Sequence, residues 1–136
     1  TLTDNDILAL FWTALTSGSI GYGYLTLDTD KESYSKAREI VKKNNGQDPD
    51  ELGYVVIEDV WVEVLKMGKL VVCEYDDVDD TNNALGCFSV EDLYENVNKM
   101  QKEEHWILEQ FAKYQDDAIT HDAFLQYVFL GEIVYG

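Results

Sequence analysis

IEDVWVEVLKMGKLVVCEYDDVDDTNNALGCF, residues 57–88, is the stretch on which the fold class turns. Its first part places Ile57, Val60, Trp61, Val64 and Leu65 at i, i+3, i+4, i+7 and i+8, one face of an α-helix. The same part is rich in β-branched side chains, which favour strands. Gly68 decides for the helix, because it stands where a left-handed C-terminal cap belongs. Leu70 to Tyr75 then reads as a strand, Asp76 to Asn83 as a polar turn and Ala84 to Phe88 as a return strand. The expected fold is a mainly helical α+β single domain, residues 1–136, with a small antiparallel hairpin.

Upstream, Thr3 caps a first helix whose opening turn sets Asp4 and Asp6 against the positive end of the dipole. Ile7, Leu8, Phe11, Trp12 and Leu15 give it an apolar face, and Ser17-Gly18 ends it. The glycines between Gly18 and Tyr24 imply tight backbone geometry. Asp28 to Asp30 supply caps for a second helix running to Lys43, stopped by Asn44-Asn45-Gly46. Asp48-Pro49 has the form of a cap followed by proline at the first helical position.

Downstream, Ser89 and Asp92 form a capping-box variant that opens a long helix. Its inner stripe is Val90, Leu93, Tyr94, Val97 and Met100, continued after a break by Ile107, Leu108, Phe111 and Tyr114. Asp116-Asp117 separates off a last helix, Asp122 to Leu130, which Gly131 ends. Ile133 to Tyr135 are expected to add an edge strand or to plug the core.

A chain of 136 residues fits one domain, and 46% hydrophobic with 12% aromatic residues sets it apart from a disordered acidic tail. Cys73 and Cys87 read as two buried free thiols in a reducing cytosol, since small secreted domains carry several disulfides. No basic segment precedes an apolar one as in a signal peptide, and the apolar run from Ile7 to Leu15 is too short to span a bilayer. The expected location is the cytoplasm, with no membrane partner.

Net charge is -17 and unevenly spread. Residues 1–47 hold six acids and five bases, whereas residues 48–136 hold twenty-one acids and five bases. Neutralising phosphates needs Lys and Arg, so direct nucleic-acid binding is excluded.

The densest acidic cluster is Glu74, Asp76, Asp77, Asp79 and Asp80. As a calcium loop it fails, because counting from Asp77 the sixth position is Asn82 and the twelfth is Phe88. A partial match from Asp28 through Asp30 and Glu32 to Glu39 has Ser33 where the turn glycine belongs. His105, His121, Cys73 and Cys87 lack zinc spacing, so no metal or cofactor is expected. The glycine stretch lacks both the P-loop ending and the third glycine of a dinucleotide fingerprint. A small hydrolase would need Cys87 joined to a histidine such as His105; the expectation is instead that the chain is not an enzyme.

What remains is surface. Glu91, Asp92, Glu95, Glu103, Glu104 and Glu109 lie on expected helix faces and can present a ladder of negative charge. Duplex DNA carries one charge per about 1.7 Å of axis, so such a ladder would be drawn to grooves built for phosphates.

Thr13-Ala14-Leu15 and Gly18-Ser19-Ile20-Gly21-Tyr22, with Asp117-Ala118-x-Thr120-x-Asp122-Ala123-x-Leu125-Gln126 and the ending Gly131-Glu132-Ile133-Val134-Tyr135-Gly136, carry a resemblance. The two ends resemble small uncharacterised acidic proteins of bacterial phages and mobile elements with a Gly-Glu-[Ile/Val]-Val-Tyr-Gly-like ending. This chain departs in having Gly23 where such proteins often carry tryptophan. The resemblance implies a genomic setting and no settled activity. Together with the charge it leads to the expectation of an accessory protein that inhibits a host defence complex, a CRISPR effector or restriction enzyme. Its partner would be a basic nucleic-acid-binding protein or nuclease complex, met as an acidic nucleic-acid mimic. The alternative is a cytosolic structural or assembly module whose acidity only solubilises it. A homodimer through an apolar stripe on the long helix is an open variant of either.

Overall fold

The computed structural model describes residues 2–17, 25–48, 50, 53–76 and 78–134. The glycine-rich stretch 18–24, Pro49, Asp77 and Tyr135 lie outside the described residues. The fold is α+β. In chain order its elements are α1 (Asp4–Thr16), β1 (Leu25–Asp28), α2 (Lys31–Asn44), α3 (Ile57–Lys66), β2 (Leu70–Asp76), β3 (Thr81–Phe88), α4 (Val90–Glu103), α5 (His105–Ala112) and α6 (Ala118–Leu130). The strands form one antiparallel sheet in the order β1-β2-β3.

Helix α6 is the centre of the packing. Every residue from Ala123 to Phe129 is buried, as expected for a helix that is apolar on all sides. Around it stand α1, α4 and α5; α3 packs on α1, and α2 on α3. Phe129 joins helices to sheet, edge-on to Phe11 at 5.9 Å and to Phe88 at 5.2 Å between ring centroids. Asn96 fixes α4 to α6 by donating to the Val128 carbonyl at 2.6 Å, and the Trp12 indole ties α1 to α3 through Asp59, also at 2.6 Å. Tyr34 meets Trp61 edge-on at 5.8 Å between α2 and α3.

The sheet buries one face. Leu70 and Val72 point inward, with Leu27 opposite Val72 and Phe88 opposite Leu70. A bulge in β3 lies between the Val72–Gly86 and Cys73–Ala84 pairs, leaving Leu85 without a partner in β2.

Side-chain caps set the helix starts. Thr3 and Asp6 form a capping box on α1, and Ser89 and Asp92 form one on α4. The Asp30 carboxylate accepts from the Ser33 N–H at 2.8 Å to open α2. The Gly68 left-handed turn, φ +70°, closes α3 as its position predicts.

Five sequence expectations are corrected. Asp48 does not open α3: its carboxylate accepts the Asp50 N–H at 3.0 Å in a local turn, and α3 begins at Ile57 behind Val56, which offers no capping side chain. The hairpin turn is shorter than 76–83, because the Asp76 carboxylate takes the Val78 N–H at 2.9 Å and lets β3 start at Thr81. Helix α6 begins a turn earlier than expected, since Asp117 and Thr120 cap each other; Asp122 lies inside the helix and accepts from the Gln126 amide at 2.7 Å. Tyr114 does not continue the buried stripe: its backbone turns to φ +55° and its side chain is 94% exposed. Ile133 and Val134 form neither strand nor plug; both are exposed, and the Val134 N–H donates to the Gln126 side-chain oxygen at 2.8 Å.

Candidate functional site

The acidic residues singled out in the sequence occupy two stations. Asp76, Asp79 and Asp80 sit at the tip of the β2–β3 hairpin. Glu91, Asp92, Glu95, Glu103, Glu104 and Glu109 follow along α4 and α5. The eight residues of β3 separate the tip from the first turn of α4, about 25 Å at 3.3 Å per residue. No single acidic ladder runs through both.

Within each station the fold engages part of the set. Glu74 is half-buried in β2, paired with Leu25 on one side and Asn83 on the other. Asp76 holds the turn backbone, and Asp80 accepts the Tyr75 hydroxyl at 2.6 Å. Asp92 is committed to the α4 cap. Glu103 accepts the Tyr127 hydroxyl and lies 3.9 Å from the Lys99 ammonium. Glu104 accepts the Trp106 indole N–H at 2.7 Å. Glu109 pairs with Lys113, which holds its carboxyl below the usual carboxylate range. Asp79, Glu91 and Glu95 are exposed, and their side chains have no ion-pair or hydrogen-bond partner among the described residues; the Asp79 N–H donates to the Asp76 carboxylate at 3.3 Å.

Two further acids, Asp4 and Asp6, stand on the opening turn of α1. Asp4 and Glu91 both act on Tyr94, whose phenol is pushed up by burial first and then by these two carboxylates. The first turns of α1 and α4 therefore both bear on this phenol. Composition marked Asp4 only as a dipole partner for α1, and its bearing on Tyr94 depends on the α1–α4 packing.

The opposite charge is concentrated. Lys31, Lys36, Arg38, Lys42 and Lys43, half of the chain's ten bases, sit on α2 beside only Glu32 and Glu39. The remainder of the chain carries twenty-five acids and five bases. Because α2 packs on α3, α3 on α1 and α1 on α4, this basic helix lies at the far end of a row of contacts from the acidic α4.

The thiols are not the buried pair that the sequence suggested. Cys73 is half-buried and Cys87 exposed, both free, on the sheet face opposite to that of the buried Leu70 and Val72. Cys87 lies opposite Val71 and Cys73 opposite Ala84, so they are diagonal and not direct partners. Neither histidine bonds to Cys87 among the described residues; His121 is buried against Phe111 and lies 2.7 Å from Asp116. Among the described residues no three His, Cys, Asp or Glu side chains gather as metal ligands would, and no helix is long and apolar enough to cross a membrane. No protein-family model, curated protein or solved structure matches the chain.

Proposed function

We propose that this protein acts by binding another protein, a basic nucleic-acid-binding protein or nuclease complex, and that it keeps nucleic acid from that surface. The observation that carries the reading is the imbalance outside α2, twenty-five acids against five bases on a folded scaffold. Such a field draws cationic surfaces and repels phosphates. Glu91 and Glu95 on α4 are the acids best placed to make contact, because their side chains are exposed and uncommitted among the described residues. They are one helical turn apart, about 6 Å along the axis. The resemblance of the chain ends to phage and mobile-element proteins makes a host defence enzyme, a CRISPR effector or restriction enzyme, the target class.

The test is competition. Labelled duplex DNA is bound to purified candidate enzymes, and the protein is added at 50 and 150 mM salt. Displacement is expected from at least one target, and Glu91→Gln/Glu95→Gln should weaken it about tenfold, a loss of about 1.4 kcal/mol. Displacement from none of the targets at 150 mM salt, or full potency of the double variant, rejects the reading.

A further inference from the structure

An apolar groove separates α1 from α5. Leu2, Ala9 and Leu10 line it from the α1 side and Leu108, Phe111 and Ala112 from α5, around a hollow of about 420 Å³. It shares Leu2, Leu108 and Ala112 with a second hollow of about 420 Å³ that reaches His105 and Glu109. Asp6 lines the first hollow and Glu109 the second, both exposed. Thr3 bonds keep the Asp6 carboxyl below its ordinary range, and Lys113 does the same for Glu109, so both are charged at neutral pH.

The shape suits one kind of occupant. Ala9 and Ala112 are exposed and small on opposite walls, so a rod of helical diameter, about 10–12 Å, can come close to Leu10, Leu108 and Phe111. The eight residues of α5 run about 12 Å, matching two turns of a helix laid alongside. Apolar anchors spaced i, i+3 or i+4 and i+7 would fill the floor, as in other helix-in-groove contacts. The charge of that helix follows from its surroundings. Asp6 stands at the first hollow and Glu109, paired with Lys113, at the second, on a molecule with net charge -17, so the surrounding field attracts cations on the outward face and expels anions.

We propose that the α1–α5 groove is the docking site for a cationic amphipathic helix of the partner protein. This deepens the protein-binding reading and rests on it, but it uses residues other than Glu91 and Glu95.

The probe is a labelled 14-residue synthetic peptide with leucines at i, i+3, i+4 and i+7 and lysines on the other face. A control peptide keeps every lysine and replaces each leucine by glutamine. Binding is read by fluorescence anisotropy at 150 mM salt. The leucine peptide should bind at least tenfold tighter than the control. Ala9→Arg/Ala112→Arg should erase that difference, while Val78→Ser, on the exposed hairpin tip, should leave it within twofold. Equal binding of the two peptides, or a preference that survives the arginine pair, overturns the groove and shows only diffuse attraction to an acidic protein. Should the arginine variant fail to fold, peptide-induced NMR shifts replace it. Shifts centred on Leu10, Leu108 and Phe111 support the site, and shifts centred elsewhere overturn it. Loss of nuclease competition with the peptide result intact would reject the target class and not the groove.

Discussion

Tyr127 is fully packed on α6, yet its hydroxyl must find a partner, and it donates to Glu103 across the α4–α6 contact. Burial, and then the neighbouring carboxylates of Glu103 and Glu104, push the phenol up to about 12. The unfolded chain releases this proton first, near the ordinary value of 10.0. The contribution to stability is therefore full below pH 10 and is lost as pH rises towards about 12. In an absorbance titration Tyr127→Phe should remove a component ionising near pH 12, and melting curves should show the variant losing less stability than the parent over that interval. An unchanged titration would place the phenol in water. Two other positions on α6 test how unequal its residues are. Phe124 is fully buried and meets Phe111 edge-on at 5.6 Å, so Phe124→Ala should cost about 3–5 kcal/mol in urea unfolding. Ile119 is exposed on the first turn of the same helix, and Ile119→Ala should stay within about 0.5 kcal/mol.

Among the elements, the α3–β2–β3–α4 run depends on its punctuation. Gly68 holds φ +70°, and a Cβ there would meet only the Ser89 Cβ at 3.9 Å, an ordinary contact. Gly68→Ala should thus cost about 1–2 kcal/mol from the left-handed backbone alone, with no rearrangement of α4. Ser89→Ala removes the cap of α4 and should cost about 1 kcal/mol. Urea midpoints at unchanged slope would check both, and a changed slope for Gly68→Ala would mean a clash the geometry does not contain. These are also the places where the sequence was legible: Thr3 with Asp6, Ser89 with Asp92 and Gly68 act through neighbours within a few residues. The start of α3 was not legible, because Val56 has no side chain that caps. Nor was β1, whose four residues become a strand only by pairing Leu25–Asp28 with Val71–Glu74. The start of α6 was hidden because Thr120, not Glu or Gln, answers the Asp117 cap. The acidic set was legible as composition, but its division was not. The contacts that commit Asp80 to Tyr75 and Glu103 to Tyr127 depend on the turn geometry and on the docking of α4 against α6.

At the scale of the whole molecule, the confinement of half the bases to α2 leaves the other elements repelling one another. Among the described residues the pairs Lys36–Glu32, Lys66–Glu63, Lys99–Glu103 and Lys113–Glu109 join side chains three or four positions apart and are exposed on at least one side, so these four bind no two elements together. Solvent screens exposed pairs of this kind, so each contributes little to stability. With so few cations outside α2, the expectation is that long-range repulsion among carboxylates on α1, α4 and α5 outweighs them at low salt. The screening length falls from about 30 Å at 0.01 M to about 10 Å at 0.1 M, comparable with the spacing between neighbouring helices. Adding sodium chloride from 10 to 300 mM should raise the melting temperature by about 4–8 °C, equivalent to about 1–2 kcal/mol in a domain of this size. The rise should then level off, because screening saturates whereas a salting-out effect on apolar surface keeps growing with concentration. Glu91→Gln/Glu95→Gln should reduce the rise and lift the low-salt melting temperature, since both side chains lack a compensating cation among the described residues. A melting temperature that falls on adding salt would mean that attraction between α2 and the acidic helices dominates. The outward field invoked for partner binding would then be largely cancelled within the fold.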